Sequence, residues 1–150
     1  MKIVIASDHG GFQYKNSLLK DISEHGYEVT DLGTFTEAPT DYPDHAADVA
    51  HAILNKQAER GILICGSGVG VSVAANKFKG IRAGVCHDTY SAHQSVEHDD
   101  VNVLCIGQRV IGIELARDII LTFLAAQFTH AERHQRRLAK INVIESENMK

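Results

Sequence analysis

Ile62-Leu63-Ile64-Cys65-Gly66-Ser67-Gly68-Val69-Gly70-Val71 is the stretch that decides the fold. Three large apolar residues run into a cysteine, and glycines then occupy alternate positions. A short, bounded apolar run of this kind reads as a strand buried on both faces, as in a parallel sheet. Val71, Ala74, Ala75 and Phe78 follow at i, i+3, i+4 and i+7, the spacing of one helical face, with Gly80 placed as its C-cap. A glycine turn between a strand end and a helix start exposes backbone N–H groups beside the positive end of a helix dipole and makes an anion site. Cys65 stands at its lip, at a strand's carboxyl end and a helix N-terminus, a setting that suits a base or nucleophile.

Outward from this turn the same rhythm repeats. Towards the N-terminus, Ile3 to Ala6 reads as a buried strand ending in Ser7-Asp8-His9-Gly10-Gly11, and Leu18, Leu19 and Ile22 mark a helix that stops at Gly26. Glu28 to Leu32 is an outer strand. A loop with Thr40-Asp41-Tyr42-Pro43 leads into a helix traced by Ala46, Ala47, Val49, Ala50, Ile53 and Leu54. Towards the C-terminus, Ile81 to Cys86 is a strand, Asp88 the N-cap of a helix through about Glu97, and Val101 to Ile106 a fifth strand closed by Gly107-Gln108-Arg109. Helices over about 113–126 and 133–145 complete the chain.

Five strands alternating with helices predict a three-layer α/β/α fold of Rossmann or flavodoxin-like type, with an extra C-terminal helix. The expected parallel order is 2-1-3-4-5, which makes strands 1 and 3 neighbours at the switch point where ligands bind. Asp8-His9 and Cys65-Gly66-Ser67 then face one crevice. Residues 1–150 form a single domain in this reading, since no linker, repeat or low-complexity tract interrupts them.

The composition is that of a globular protein, at 44% hydrophobic and 23% charged residues. A chain this long buries roughly two-thirds of its unfolded surface. A net charge of −4 without a long basic run argues against nucleic acid as a partner. Cys65, Cys86 and Cys105 show no disulfide or zinc spacing, no apolar run reaches the roughly 18 residues of a membrane span, and no signal segment precedes Ile3. A cytoplasmic location, no membrane and no metal are expected.

Gly66, Gly68 and Gly70 give G-x-G-x-G rather than the dinucleotide fingerprint G-x-G-x-x-G, so nicotinamide binding is disfavoured. Tight helix–strand packing is the plainer reading of these glycines. Cys86 and Cys105 read as small buried hydrophobes. Most of the nine histidines read as solvated, His25, His51 and His130 among them. His98 ends a helix at the amino end of its strand, opposite Cys65 across the sheet, so a catalytic His98 acts in a neighbouring subunit's site; a dipole partner at the helix end is its alternative. Arg133 and Arg137, at i and i+4, share one helix face as a fork suited to phosphate or as a solvated basic turn. Arg109 is a third cation near the crevice.

Ser7-Asp8-His9-Gly10-Gly11, Asp41-Tyr42-Pro43, Ile64 to Gly70, Ala74-Ala75-Asn76-Lys77, Gly107 to Gly112 and Arg133-His134-Gln135-Arg136-Arg137 occur in one collinear series. With them the chain resembles the ribose-5-phosphate isomerase B family, which also holds the galactose-6-phosphate isomerase subunits. The resemblance implies aldose–ketose isomerisation of ribose 5-phosphate and ribulose 5-phosphate, without cofactor or metal, in a homodimer with shared active sites; pairing into a dimer of dimers is left open. It implies Cys65 as the base between C1 and C2, His98 as the ring-opening acid/base and Asp8 as its assistant. Ser67 and the amides of Gly66, Gly68, Val69 and Gly70 would hold the enediolate. His9, Arg109, Arg133 and Arg137 would hold the phosphate, with Tyr42 and Asp99 also at the substrate.

The family usually has asparagine where this chain has Asp99, and a carboxylate cannot donate to a sugar oxygen as an amide does. Galactose-6-phosphate isomerase subunits usually lack the cysteine or the histidine, so Cys65 with His98 favours the ribose-phosphate branch. An isomerase of allose 6-phosphate, galactose 6-phosphate or a tetrose phosphate is one alternative, and a non-catalytic sugar-phosphate binding module is another.

Overall fold

A computed structural model describes residues 1–150. Its elements are β1 (Lys2–Ser7), α1 (Phe12–Glu24), β2 (Glu28–Asp31), α2 (Tyr42–Leu54), β3 (Arg60–Cys65), α3 (Val69–Ala75), β4 (Ala83–Val85), α4 (Thr89–Asp99), β5 (Val103–Gly107), α5 (Ile113–Ala125) and α6 (Glu132–Asn148). The five strands form one parallel sheet, as the apolar runs predict.

The strand order corrects the expected 2-1-3-4-5: it is β2-β1-β3-β5-β4. Burial supplies the reason. All five residues of β5 are buried, whereas β4 has three residues, none of them fully buried. Between them, the longer apolar strand gains more from a central place with helices over both faces. The swap seats Gly107 directly beside Cys65 in the β3–β5 register.

Alternate residues of the central strands build two cores. Ile3, Ile5, Ile62, Ile64, Leu104 and Ile106 face α1, α4 and α5, where Leu18, Ile22, Val96, Ile119 and Phe123 cover them. Val4, Ala6, Leu63, Cys65, Val103 and Cys105 face the other way, against Ala46, Val49 and Ala50 of α2 and Val71 and Ala75 of α3. Fully burying each large aliphatic side chain stabilises the fold by about 1.5–3 kcal/mol. Cys65 therefore belongs to the α2–α3 layer.

The helix after the glycine turn is shorter than expected. It ends at Ala75 with Asn76 as cap, so Gly80 is not its C-cap. Asn76 instead binds Ala83 on both sides, its amide donating to the carbonyl at 2.9 Å and its carbonyl accepting from the N–H at 2.8 Å. Two backbone-like bonds to the start of β4 compete with helix continuation. Asp88 does cap α4, accepting from Ser91 N–H at 2.6 Å.

At the amino edge of the sheet, α6 is tied down at two points. His134 is buried near its start, and Glu145 accepts the Gly80 N–H at 2.8 Å near its end. No helix is long and apolar enough to cross a membrane.

Candidate active site

The glycine turn is built around Gly68, whose φ of +79° lies in the left-handed region. A side chain there would also meet the Ile106 carbonyl carbon at 2.9 Å. This conformation aims the Gly68 N–H at Cys65, whose Sγ accepts it at 3.0 Å. Ser67 Oγ accepts the Val69 N–H at 3.1 Å. The amides of Gly66, Ser67 and Gly70 have no acceptor within the chain, so three donors are unspent beside the thiol.

The facing wall comes from the ends of β1 and β5. Asp8 is buried, with Oδ1 accepting the Gly10 N–H at 2.8 Å. Beyond β5, Gln108 N–H donates to Cys65 O at 2.9 Å and Arg109 N–H to Gly66 O at 3.0 Å, so the two turns brace each other. The Gln108 side chain also accepts the Tyr14 N–H of α1 at 3.0 Å. Arg109 is exposed, has no carboxylate partner, and runs alongside Gly66. Tyr42, from the first turn of α2, lies with its ring over Gly70.

These walls enclose a cleft of about 520 Å³ lined by Asp8, Tyr42, Cys65, Gly66, Ser67, Val69, Gly70, Arg109 and Val110. Eight of the nine were candidates from the sequence. Val110 was not, because an exposed valine after a turn carries no chemical signal. Gly68 is buried beneath the turn rather than in the cleft. His9 is exposed and outside the lining; its Nδ1 accepts the Thr40 N–H at 3.2 Å. A ring that accepts at Nδ1 carries its proton on Nε2 when neutral, leaving that N–H free to meet an anion. Thr40 Oγ1 is held in turn by His45 Nε2 at 2.9 Å.

His98, Asp99, Arg133 and Arg137 lie elsewhere. His98 is half-buried at the end of α4, its Nδ1 3.0 Å from Gln94 Nε2. Its ring stacks on His134 with centroids 4.1 Å apart and planes at 26°. His134 Nδ1 pairs with Thr129 Oγ1 at 2.5 Å. Burial, then the neighbouring His98, Arg133 and Arg137, push the His134 pKa down against the opposing pull of Asp99. Arg133 and Arg137 are exposed and free of carboxylates, while Arg136 between them pairs with Glu132. The Asp99 carboxylate makes no hydrogen bond or ion pair within the chain.

His134 stands inside the Arg133 to Arg137 stretch, yet sequence reasoning gave it no role. Its signal is the period: His134 and Leu138 mark the inner face of α6, with the two arginines outside. The α4–α6 group lies at the amino end of the sheet and the cleft at the carboxyl end. One chain does not bring them together. No three His, Cys, Asp or Glu side chains converge as a metal-ligand set.

Fold and cleft together define a class: a doubly wound α/β protein with a small polar-ligand site at the carboxyl ends of its strands, equipped with a thiol, a carboxylate and unspent amides. The family is narrower. The family model for Ribose/Galactose Isomerase matches residues 3–141, and the chain belongs to that family; it is an isomerase. It is 49% identical over 144 residues to ribose-5-phosphate isomerase B of Escherichia coli, covering 96% of each chain. It is 44% identical over 131 residues to D-erythrulose-4-phosphate isomerase 2 of Mycolicibacterium smegmatis, covering 85% of this chain and 86% of that one. The structure of Clostridium thermocellum ribose-5-phosphate isomerase B superposes with a TM-score of 0.94 at 48% identity, covering 98% of this chain and 99% of that one.

Proposed function

We propose that the chain interconverts D-ribose 5-phosphate and D-ribulose 5-phosphate by ring opening and proton transfer through a cis-enediolate. The observation that carries this reading is the Cys65 thiol beside three unspent amides, in a cleft that also holds Asp8 and Arg109. Taking a proton from the carbon next to a carbonyl leaves negative charge on oxygen. Cys65 is placed to take it. The Gly66, Ser67 and Gly70 amides, with the Ser67 hydroxyl, then hold the oxyanion, each good donor contributing about 2.7–4 kcal/mol at the transition state. Asp8 assists at the ring oxygen.

His98 opens the ring from a second subunit, because within one chain it lies at the far end of the sheet from Cys65. Arg133 and Arg137 come with it and join Arg109 and His9 around the phosphate, where guanidinium forks match the oxygens. Exposed Val69 and Val73 on α3 and Ile141, Val143 and Ile144 on α6 supply apolar surface for such a homodimer.

A second reading is favoured by Asp99. A carboxylate in place of the family's usual asparagine accepts hydrogen bonds and does not donate them, which alters what it asks of the sugar. Together with the relative named for D-erythrulose 4-phosphate, this points to a tetrose phosphate. Comparing kcat/KM for ribose 5-phosphate, erythrulose 4-phosphate and six-carbon aldose phosphates tests both. The highest value falls on ribose 5-phosphate in the first reading and on the tetrose in the second; no turnover of any of them overturns both.

A further inference from the structure

β4 parts from β5 just before the cleft. The Cys86 N–H donates to Cys105 O at 3.3 Å, and the next rung of a parallel ladder would carry the Gly107 N–H to the Cys86 carbonyl. That bond does not form. Instead the Gly107 N–H donates to His87 Nε2 at 2.9 Å, so an imidazole replaces the missing rung. An accepting Nε2 requires a neutral ring with its proton on Nδ1. Burial pushes the His87 pKa down, against the pull of Asp88 beside it, and favours that form.

The bonded amide belongs to a junction. Gly107 presses on the Ser67 backbone, with no room for a side chain between them. The next two amides, of Gln108 and Arg109, donate to Cys65 and Gly66. A shift of Gly107 therefore moves the thiol's turn and the root of the Arg109 side chain together. His87 itself does not line the cleft.

We propose that His87 is a positioning residue for the isomerase site: by accepting the Gly107 amide, it fixes the turn that braces Cys65 and Ser67 and carries Arg109. The proposal rests on the isomerase reading above. Its test compares His87→Gln, whose side-chain carbonyl can still accept, with His87→Leu, which fills similar space and cannot. Because displacements of about 1 Å in an active site cost up to 10²-fold, His87→Leu is expected to lower kcat roughly ten-fold or more and to raise KM through Arg109. His87→Gln is expected to recover most of both.

Hydrogen exchange at the Gly107 amide, measured on the same full-length proteins, should accelerate in His87→Leu and return towards wild type in His87→Gln. Unchanged kinetics in His87→Leu, even with lower thermal stability, overturns the proposal, as does equal impairment of the two variants. A wild-type protein inactive on every sugar phosphate refutes the isomerase reading instead. The exchange comparison would still decide whether His87 holds Gly107.

Discussion

Gly107 and Ser67 meet backbone to backbone: a methyl group on Gly107 would stand 2.6 Å from the Ser67 carbonyl carbon and 2.7 Å from its oxygen. The contact exists because β5, not β4, is the neighbour of β3. Close-packed backbone cannot make room as a flexible side chain can. The glycine turn that holds Cys65 is therefore wedged from below by the end of β5.

Gly107→Ala is expected to lower kcat/KM by about 10²-fold through displacement of the Ser67 turn, and to destabilise the fold by about 1–3 kcal/mol through overpacking. Gly70→Ala is a useful contrast, since the three atoms nearest its methyl would all belong to the Tyr42 ring, at 2.5 to 2.9 Å, and a side chain can swing out where backbone cannot. Steady-state kinetics with urea titrations should show a larger loss of both activity and stability at Gly107 than at Gly70.

Much of this arrangement is legible in the residues. The bounded apolar runs at Ile3–Ala6, Ile62–Cys65 and Val101–Ile106 point to the parallel sheet, and the neighbouring of β1 and β3 puts Asp8 opposite Cys65. The separation of His98 from Cys65 also followed, because a helix before a strand ends at that strand's amino end. The order of β4 and β5 was misread, since pairing is non-local and three half-exposed residues look in sequence like part of a longer strand. The end of α3 was misread for a related reason: Asn76 binds β4 seven residues ahead, a contact that helical periodicity does not register. His134 was passed over because its role lies in a ring stack made by tertiary packing.

A buried ion pair secures the other side of the crevice. Lys15 is fully buried, with Nζ 2.7 Å from Asp31, which also accepts the Gly33 N–H; Gly33 and Thr34 in turn pair with Ser7, next to Asp8. Asp31→Ala leaves the buried ammonium without a counter-charge, held by Asn16 Oδ1 at 3.1 Å, and is expected to cost about 3–5 kcal/mol. Lys15→Met should cost less, because Asp31 is partly exposed and keeps the Gly33 amide. Urea unfolding of both variants checks the asymmetry.

Stability should fall in mild acid. His134 and His87 both have folded-state pKa values below the ordinary histidine value of about 6.5. Below that value the unfolded chain takes up protons that the folded chain does not, so their contribution is complete above about pH 6.5 and is lost as pH falls towards the folded pKa values. Thermal midpoints measured from pH 7.5 to 5 should decrease. His134→Phe, which keeps a ring for the stack and cannot titrate, should show a shallower decrease.

The proposed sharing of sites between two subunits predicts complementation. Cys65→Ala and His98→Ala are each expected to be nearly inactive as homodimers. After mixing and subunit exchange, heterodimers with one intact site should restore up to about a quarter of wild-type activity, given a statistical half of heterodimers each carrying one site of two. Subunit exchange proven by mass spectrometry without recovered activity would show that Cys65 and His98 do not meet across an interface.

Cys65→Ala tests the central claim most directly. Incubation of the variant with ribose 5-phosphate in deuterated water, followed by NMR of C1 and C2, reads proton transfer itself. With the circular dichroism spectrum and oligomeric state unchanged, isomerisation and deuterium incorporation should both fall by about 10²–10⁴-fold, the usual contribution of a positioned base. Turnover and exchange within a few-fold of wild type would contradict Cys65 as the group that moves the proton.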